Sequence, residues 1–186
     1  MSRIWITGFR GFELGIFNNK DPKRQVIIFA LQKLLRNEIE DGADWLITGG
    51  QMGIEQLAIE AALELKEAYP EFRVALMTPF KNFGSQWKEA NQAALLKLKT
   101  QVDFTSSVSQ LSYTSPQQLH DYQNFMLAHT EKAIIFYDEQ AEESKARYDF
   151  LVAKKAAENA NYELTVVDFD RLQEFADEYQ ESQREW

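Results

Sequence analysis

The 186 residues include no cysteine, four prolines and two histidines, and nowhere a long apolar run. Without cysteine there is no disulfide, no thiolate metal site and no cysteine nucleophile. His120 and His129 stand nine apart on a predicted helix, close to opposite faces, so they are not expected to share a metal. His129, beside the helix end, complements the helix dipole. No His-x-Glu or His-Glu-x-x-His spacing occurs, so no bound metal is expected. The Gly-x-Ser-x-Gly signature of a serine nucleophile is also missing. The longest apolar run, 26–31, is six residues, whereas a membrane span needs roughly 20. The opening Met1-Ser2-Arg3-Ile4-Trp5 enters a strand-like segment directly, without the apolar region and cleavage site of a signal peptide. A cytoplasmic location is the expectation.

Positive charge is scarce as well. Twenty Lys and Arg face 29 Asp and Glu, for a net charge of −9. Segment 168–186, with seven acidic and two basic residues, carries −5 of it. An acidic chain without a basic block is a poor candidate for a nucleic-acid backbone, although net charge does not report a local basic groove. What remains is ordinary globular material, 45% hydrophobic and 26% charged. The length suits one domain, 1–186, with a sizeable core.

Apolar runs alternate with helix-period segments. Ile4-Trp5-Ile6 reads as a strand ending at Thr7-Gly8. Asp21-Pro22 reads as a helix N-cap with proline at the first helical position. Ile27, Ala30, Leu31, Leu34 and Leu35 give that helix its apolar face, and Gly42 marks its end. A second strand, 45–48, precedes a helix with Ile54, Leu57, Ala58, Ala61, Leu65 and Ala68 inward and Glu60, Glu64 and Glu67 outward. Pro70 closes that helix.

Strand 72–77 follows, then helix 87–98 with Trp87, Ala90, Ala94, Leu95 and Leu98 inward. A weak strand, 102–104, leads to a polar stretch, 105–115, and a helix over 116–129. Strand 133–137, helix 144–160 and strand 164–167 complete the alternation. Asp168 caps a final acidic helix. The pattern predicts an α/β fold, a Rossmann-like three-layer sandwich with a mostly parallel central sheet and helices on both faces. In such sheets ligands sit beyond the carboxyl ends of the strands, where strand order reverses.

Three loops begin at those ends. In Gly49-Gly50-Gln51-Met52-Gly53-Ile54-Glu55, glycines permit close backbone approach, and the free N–H groups opening a helix suit a phosphate. The loop is neither a Walker A motif nor a dinucleotide fingerprint, so a tight strand-to-helix turn accounts for it equally well. Glu55 is either a ribose-hydroxyl acceptor or catalytic carboxylate, or an acid placed by the helix dipole.

The loop Thr7-Gly8-Phe9-Arg10-Gly11-Phe12-Glu13-Leu14-Gly15 adds Arg10, which either clamps a phosphate or pairs with Glu13. Phe9 and Phe12 either stack on a base or cover the sheet edge. The loop Thr78-Pro79-Phe80-Lys81-Asn82-Phe83-Gly84-Ser85-Gln86-Trp87 sets aromatic faces beside a cation, as a base and a phosphate require. A hydrophobic lid explains Phe80 and Trp87 as well. Tyr137-Asp138-Glu139 either faces the ligand or caps a helix.

Several of these motifs resemble the signature of the YpsA family, a branch of the SLOG (Smf/DprA–LOG) superfamily. They are Thr7-Gly8-x-x-x-Phe12-Glu13-Leu14-Gly15-Ile16-Phe17, Gly50-Gln51-Met52-Gly53-Ile54-Glu55, Thr78-Pro79-Phe80, Asn124 and Tyr137-Asp138. The likeness runs from residue 3 to about 167. It implies a Rossmann-like sheet that binds a nucleotide or a derivative such as ADP-ribose or an NAD-related molecule, with Gly53 and Glu55 central. It also implies a regulator of the kind linked to cell division or envelope stress in Firmicutes, and a tendency to homo-oligomerise. The Pro-Gly-Gly-x-Gly-Thr-x-x-Glu motif of the LOG hydrolases is missing, so their activity does not carry over. The acidic balance argues against the single-stranded DNA binding of the DprA branch.

The candidate ligand-binding residues are therefore Gly8 and Arg10 in the first loop; Gly49, Gly50, Gln51, Gly53 and Glu55 in the second; and Thr78, Phe80, Lys81 and Trp87 in the third. The leading expectation is a nucleotide sensor without robust catalysis. A second is a hydrolase of an N-glycosidic or phosphoester bond with Glu55 as the catalytic carboxylate. A third is an interaction protein with no small-molecule ligand, using the acidic final helix as its partner surface.

Overall fold

The computed structural model describes residues 2–16, 18–141 and 143–184. Phe17 of the first motif and the last two residues of the acidic tail lie outside them. The elements are β1 (Ser2–Gly8), α1 (Gly11–Leu14), α2 (Pro22–Glu40), β2 (Ala43–Thr48), α3 (Ile54–Leu65), β3 (Arg73–Thr78), α4 (Glu89–Gln101), β4 (Phe104–Ser107), α5 (Gln117–His129), β5 (Lys132–Phe136), α6 (Ala146–Asn159), β6 (Glu163–Val167) and α7 (Phe169–Ser182). The strands form one six-stranded sheet in the order β4-β3-β2-β1-β5-β6, and every neighbouring pair is parallel. This is the Rossmann-like α/β architecture expected from the alternation of elements.

The strands are apolar because the sheet is covered on both faces. Ile4, Trp5 and Ile6 of β1 and Ala133, Ile134, Ile135 and Phe136 of β5 are fully buried. Each isoleucine buried in this way is worth about 1.5–3 kcal/mol over its exposed state. Helices α2, α3, α4 and α7 pack among themselves, while α5 packs with α6. Right-handed crossovers in a sheet of this order put these two groups on opposite faces. The chain winds outward from β1 through β2, β3 and β4, then returns to β5 on the other side of β1. Strand order therefore reverses between β1 and β5, and the loops leaving their carboxyl ends diverge.

Local chemistry sets the helix starts. Asp21 caps α2 by accepting the Lys23 N–H at 3.0 Å, with Pro22 in the first turn, a cap worth about 1 kcal/mol. Asp168 caps α7 through the Arg171 N–H at 2.8 Å. Asp138 takes the Phe169 N–H at 3.0 Å, so the acid after β5 serves a helix start rather than a ligand.

Three readings of the sequence need correction. Helix α3 ends at Leu65, which leaves Ala68 exposed in the following turn. Helix α4 starts at Glu89 and buries Leu95 and Leu98, while Ala90 and Ala94 face solvent. The fourth strand is 104–107 instead of 102–104. Asp103 holds back the register by accepting the Val74 N–H at 2.8 Å, and the polar residues after it pair along β3. An edge strand with solvent on one side tolerates Thr and Ser, which is why polarity concealed it.

Candidate functional site

Above the carboxyl ends of β1, β2 and β3, and walled by α5 and α6, lies a cavity of about 620 Å3. Its lining brings together Arg10 from the first loop, Gly50, Gln51 and Glu55 from the second, and Pro79 and Phe83 from the third. Helix α5 adds Leu119, His120, Tyr122 and Gln123. Lys145, Tyr148, Asp149, Leu151 and Val152 come from α6 and the residue before it.

The floor is polar and buried. Thr7, the penultimate residue of β1, lies 2.8 Å through its hydroxyl from Glu55 Oε2 and 3.2 Å from Asp149 Oδ2. Glu55 Oε1 accepts the Gln51 N–H at 3.1 Å, and Asp149 Oδ1 accepts Gln123 Nε2 at 2.8 Å. Burial pushes the Glu55 carboxyl up from its ordinary value, the Asp149 charge adds to this, and the Arg10 guanidinium opposes it. Burial likewise pushes Asp149 up, against the bond from Gln123 and the charge of Arg10. Burial, reinforced by both carboxylates, holds the Tyr122 phenol well above its usual range. Arg10 Nη1 is buried and has no hydrogen-bond partner among the described residues.

The backbone is built around these groups. A side chain at Gly49 would run into Glu55 Oε1 and the Tyr122 hydroxyl, so this glycine makes room for the floor itself. A Cβ at Gly50 would come 2.6 Å from Leu95, so α4 closes that side. Gly53 has φ +107, and a Cβ there would strike Phe9 O and approach the Gly11 nitrogen at 2.6 Å. Ile54 N–H donates to Phe9 O at 3.0 Å. The second glycine loop is thereby docked onto the first, which brings the Arg10 guanidinium near enough for its charge to act on Glu55. At Gly8 a Cβ would meet Phe136 O at 2.5 Å, so that glycine serves the close approach of β1 and β5.

The expectation of free N–H groups in the second loop needs amending. Gln51 N–H is taken by the Glu55 carboxylate, Met52 N–H by Gln51 Oε1 at 3.2 Å, and Ile54 N–H by Phe9 O. Arg10 and Glu13 do interact, but through the backbone. Glu13 Oε1 accepts the Arg10 N–H at 2.7 Å, and its Oε2 accepts the Lys145 N–H at 3.3 Å. One carboxylate thus ties together the two backbone segments that carry the cavity's cationic side chains.

Of the eleven candidates from the sequence, Arg10, Gly50, Gln51 and Glu55 line the cavity. Gly8, Gly49 and Gly53 stand behind its wall at the contacts just described. Thr78 is buried at the end of β3, and Lys81 is exposed. Phe80 packs edge-on to Phe83 at 5.5 Å, and Phe83 edge-on to Trp87 at 5.3 Å, so the third loop forms an aromatic cluster of which Phe83 reaches the lining. Phe9 is buried and stacked on Phe169 at 5.4 Å, while Phe12 is exposed.

The sequence reading missed Thr7, Tyr122, Gln123, Lys145 and Asp149. Asp149 had a readable signal. It stands with Ala146, Phe150 and Ala153 on the buried face of α6, an acid within an apolar stripe. Gln123 beside Tyr122 and Met126 is the same kind of signal on α5. Asn124, part of the resemblance, is exposed on α5, and its neighbour Gln123 turns inward.

Among the described residues no group of three or more His, Asp or Glu is arranged to hold a metal, and no helix is long and apolar enough to cross a membrane. Residues 4–172 match the YpsA family, described as the YspA SLOG family. The chain is 51% identical over 182 residues to a UPF0398 protein of Levilactobacillus brevis, covering 98% of this chain and 96% of that one. It is 47% identical over 185 residues to the UPF0398 protein of Leuconostoc citreum, covering 100% and 97%. For the UPF0398 protein of Lactiplantibacillus plantarum the identity is 49% over 183 residues, covering 98% and 96%.

Proposed function

The chain belongs to the YpsA SLOG family, and from that premise and the chemistry of the cavity we propose that it binds a nucleotide or nucleotide-derived ligand, of the ADP-ribose or NAD-related class, as a ligand-sensing regulator. The observation that carries the proposal is the buried Arg10 Nη1, a charged donor without a partner among the described residues, on a cavity floor that also holds Glu55 and Asp149. A buried donor left unmade costs about 1–3 kcal/mol, and an anionic group arriving at Arg10 removes that cost. The volume falls within the range of about 300–1,000 Å3 typical of small-molecule sites.

The lining divides by chemistry. Arg10 and Lys145 suit phosphate, Glu55 and Asp149 suit ribose hydroxyls, and Pro79, Phe83, Leu119 and Tyr148 offer apolar faces to a base. Through the family resemblance, a role in cell division or envelope stress belongs to the same proposal. Calorimetry with AMP, ADP, ATP, ADP-ribose and NAD tests it. The expected result is binding of at least one of these to the wild type and its loss in Glu55→Gln and Gly53→Asp. Unchanged affinity in both variants would remove the assigned site.

The carboxylate pair favours a second reading, hydrolysis of a ligand's N-glycosidic or phosphoester bond. Two acids of raised pKa on one cavity floor are suited to general acid–base work. Chromatography of each nucleotide after incubation discriminates. Product that depends on both Glu55 and Asp149 supports turnover, and none across the panel leaves the sensor.

A further inference from the structure

A hydroxyl group has one proton to donate, and an ionised carboxylate only accepts. Thr7 Oγ1 nevertheless lies within hydrogen-bond reach of both Glu55 Oε2 and Asp149 Oδ2, at 2.8 and 3.2 Å. With both acids ionised, one of those contacts would be a buried oxygen–oxygen repulsion. A proton on either acid removes the conflict. That acid donates to the Thr7 oxygen, and the Thr7 proton goes to the other carboxylate. The outer oxygens are already committed as acceptors, Glu55 Oε1 to the Gln51 N–H and Asp149 Oδ1 to Gln123 Nε2. The extra proton therefore belongs on the oxygens that face Thr7.

The charge balance points the same way. Besides the pair itself, the titratable and charged groups that line the cavity are Arg10 from the loop after β1, His120 and Tyr122 from α5, Lys145 ahead of α6 and Tyr148 on α6. Tyr122 keeps its proton, and among the described residues Arg10 is the cation whose charge acts on both acids. One guanidinium balances one carboxylate; a second ionised acid would leave an uncompensated charge in a buried site.

We propose that Glu55 and Asp149 hold a single proton between them through the Thr7 hydroxyl, and that an anionic ligand group bound at Arg10 draws a further proton onto the pair. The second half rests on the reading of the cavity as a site for a phosphate-bearing ligand. An arriving phosphate engages Arg10 and adds negative charge beside the remaining carboxylate, which raises that carboxylate's proton affinity. Binding then takes up a proton, so affinity strengthens as pH falls, by up to about tenfold per pH unit for a full proton. Adenosine, lacking the phosphate, shows no such slope.

Carbon-13 NMR of the ligand-free protein, labelled at the Asp and Glu carboxyls, tests the first half. The expected result is one carboxyl resonance still protonated at neutral pH, and its loss in both Glu55→Gln and Asp149→Asn, since each leaves one acid to balance Arg10. If every carboxyl of the wild type titrates in the ordinary range near 4, the shared proton is overturned, whatever the variants do. Calorimetry of AMP binding in two buffers of different ionisation enthalpy, at pH 8 where the AMP phosphate with its second pKa of about 6 is already a dianion, tests the second half. Net proton uptake supports the coupling, and AMP binding with no uptake overturns it. The NMR measurement needs no ligand. A protonated carboxyl in a protein that binds no nucleotide would therefore count against the nucleotide reading and leave the shared proton standing.

Discussion

At the end of the sheet where the strands begin, Glu131 and Asp103 stand beside cations; at the end where they finish, Glu55 and Asp149 stand beside each other. Arg3 reaches Glu131 at 2.7 Å, with a second bond from its own backbone N–H at 2.8 Å. The bond from Arg3 holds the Glu131 carboxyl below its usual value against partial burial. Burial pushes Asp103 up, but the Lys66 ammonium at 2.6 Å, the Val74 N–H and Arg73 together hold it below the ordinary range. These acids anchor the starts of β1, β5, β3 and β4. At the opposite end the same residue types are deeper, share one guanidinium and are pushed up. An arrangement that strains against its own charges contributes little to stability, which makes that end the candidate for binding.

The two ends should also respond to pH with opposite signs. A lowered acid stabilises the fold above its unfolded pKa, and that contribution is lost as pH falls through the folded value. A raised acid acts in reverse. Its contribution is present below the ordinary carboxylate range and is lost as pH rises through the raised value.

The largest effect is expected where the loops that build the upper end meet. Gly53→Asp forces a side chain into Phe9 O at φ +107, and should cost about 3 kcal/mol or more in urea unfolding while separating Arg10 from Glu55. Retention of wild-type stability would show that the docking of the two loops is not what holds Arg10. Next comes Arg10→Met, which removes the cation from the buried acids. The cost should be about 3 kcal/mol at pH 8 and should shrink steadily as pH falls and the acids accept protons instead. A cost independent of pH would contradict the raised values.

Glu55→Gln should match or exceed wild-type stability by about 1 kcal/mol at pH 8, because an amide replaces a carboxylate that burial disfavours. The smallest effect sharpens the contrast from the other end. Glu131→Gln should destabilise by no more than about 1 kcal/mol at neutral pH, since the pair is partly solvated, and by progressively less as pH falls and the carboxyl takes up its proton. The same sign for Glu55→Gln and Glu131→Gln would erase the distinction between the two ends.

Much of the scaffold was legible because periodicity reports burial. The α3 pattern, the Asp21-Pro22 start of α2 and the apolar β5 follow directly from side-chain spacing. Strand β4 was misplaced because an edge strand does not need apolar residues on both faces. Within the site, the loop residues Arg10 and Glu55 were readable, since their motifs fall at strand ends. The other half of the floor comes from α5 and α6, some 70 to 90 residues further along the chain, and no local spacing links Asp149 to Glu55. The polar intruders in the apolar stripes of those helices were the available signal. The glycines fit both sequence readings, a phosphate cradle or a tight turn with close packing at Gly53; in the structure a Cβ at Gly8, Gly49 or Gly53 would meet Phe136, the floor side chains or the first loop.

The most direct test of the ligand-site claim is a thermal-shift measurement of the wild-type protein with AMP, ADP, ATP, ADP-ribose, NAD and cyclic dinucleotides at millimolar concentration. A ligand at 100 times its Kd adds about 2.7 kcal/mol, a rise of several degrees for a domain of this size. The account predicts such a shift for at least one phosphate-bearing ligand, and its disappearance in Arg10→Met. No shift for any member of the panel would contradict it and leave the acids of the upper end without a small-molecule partner.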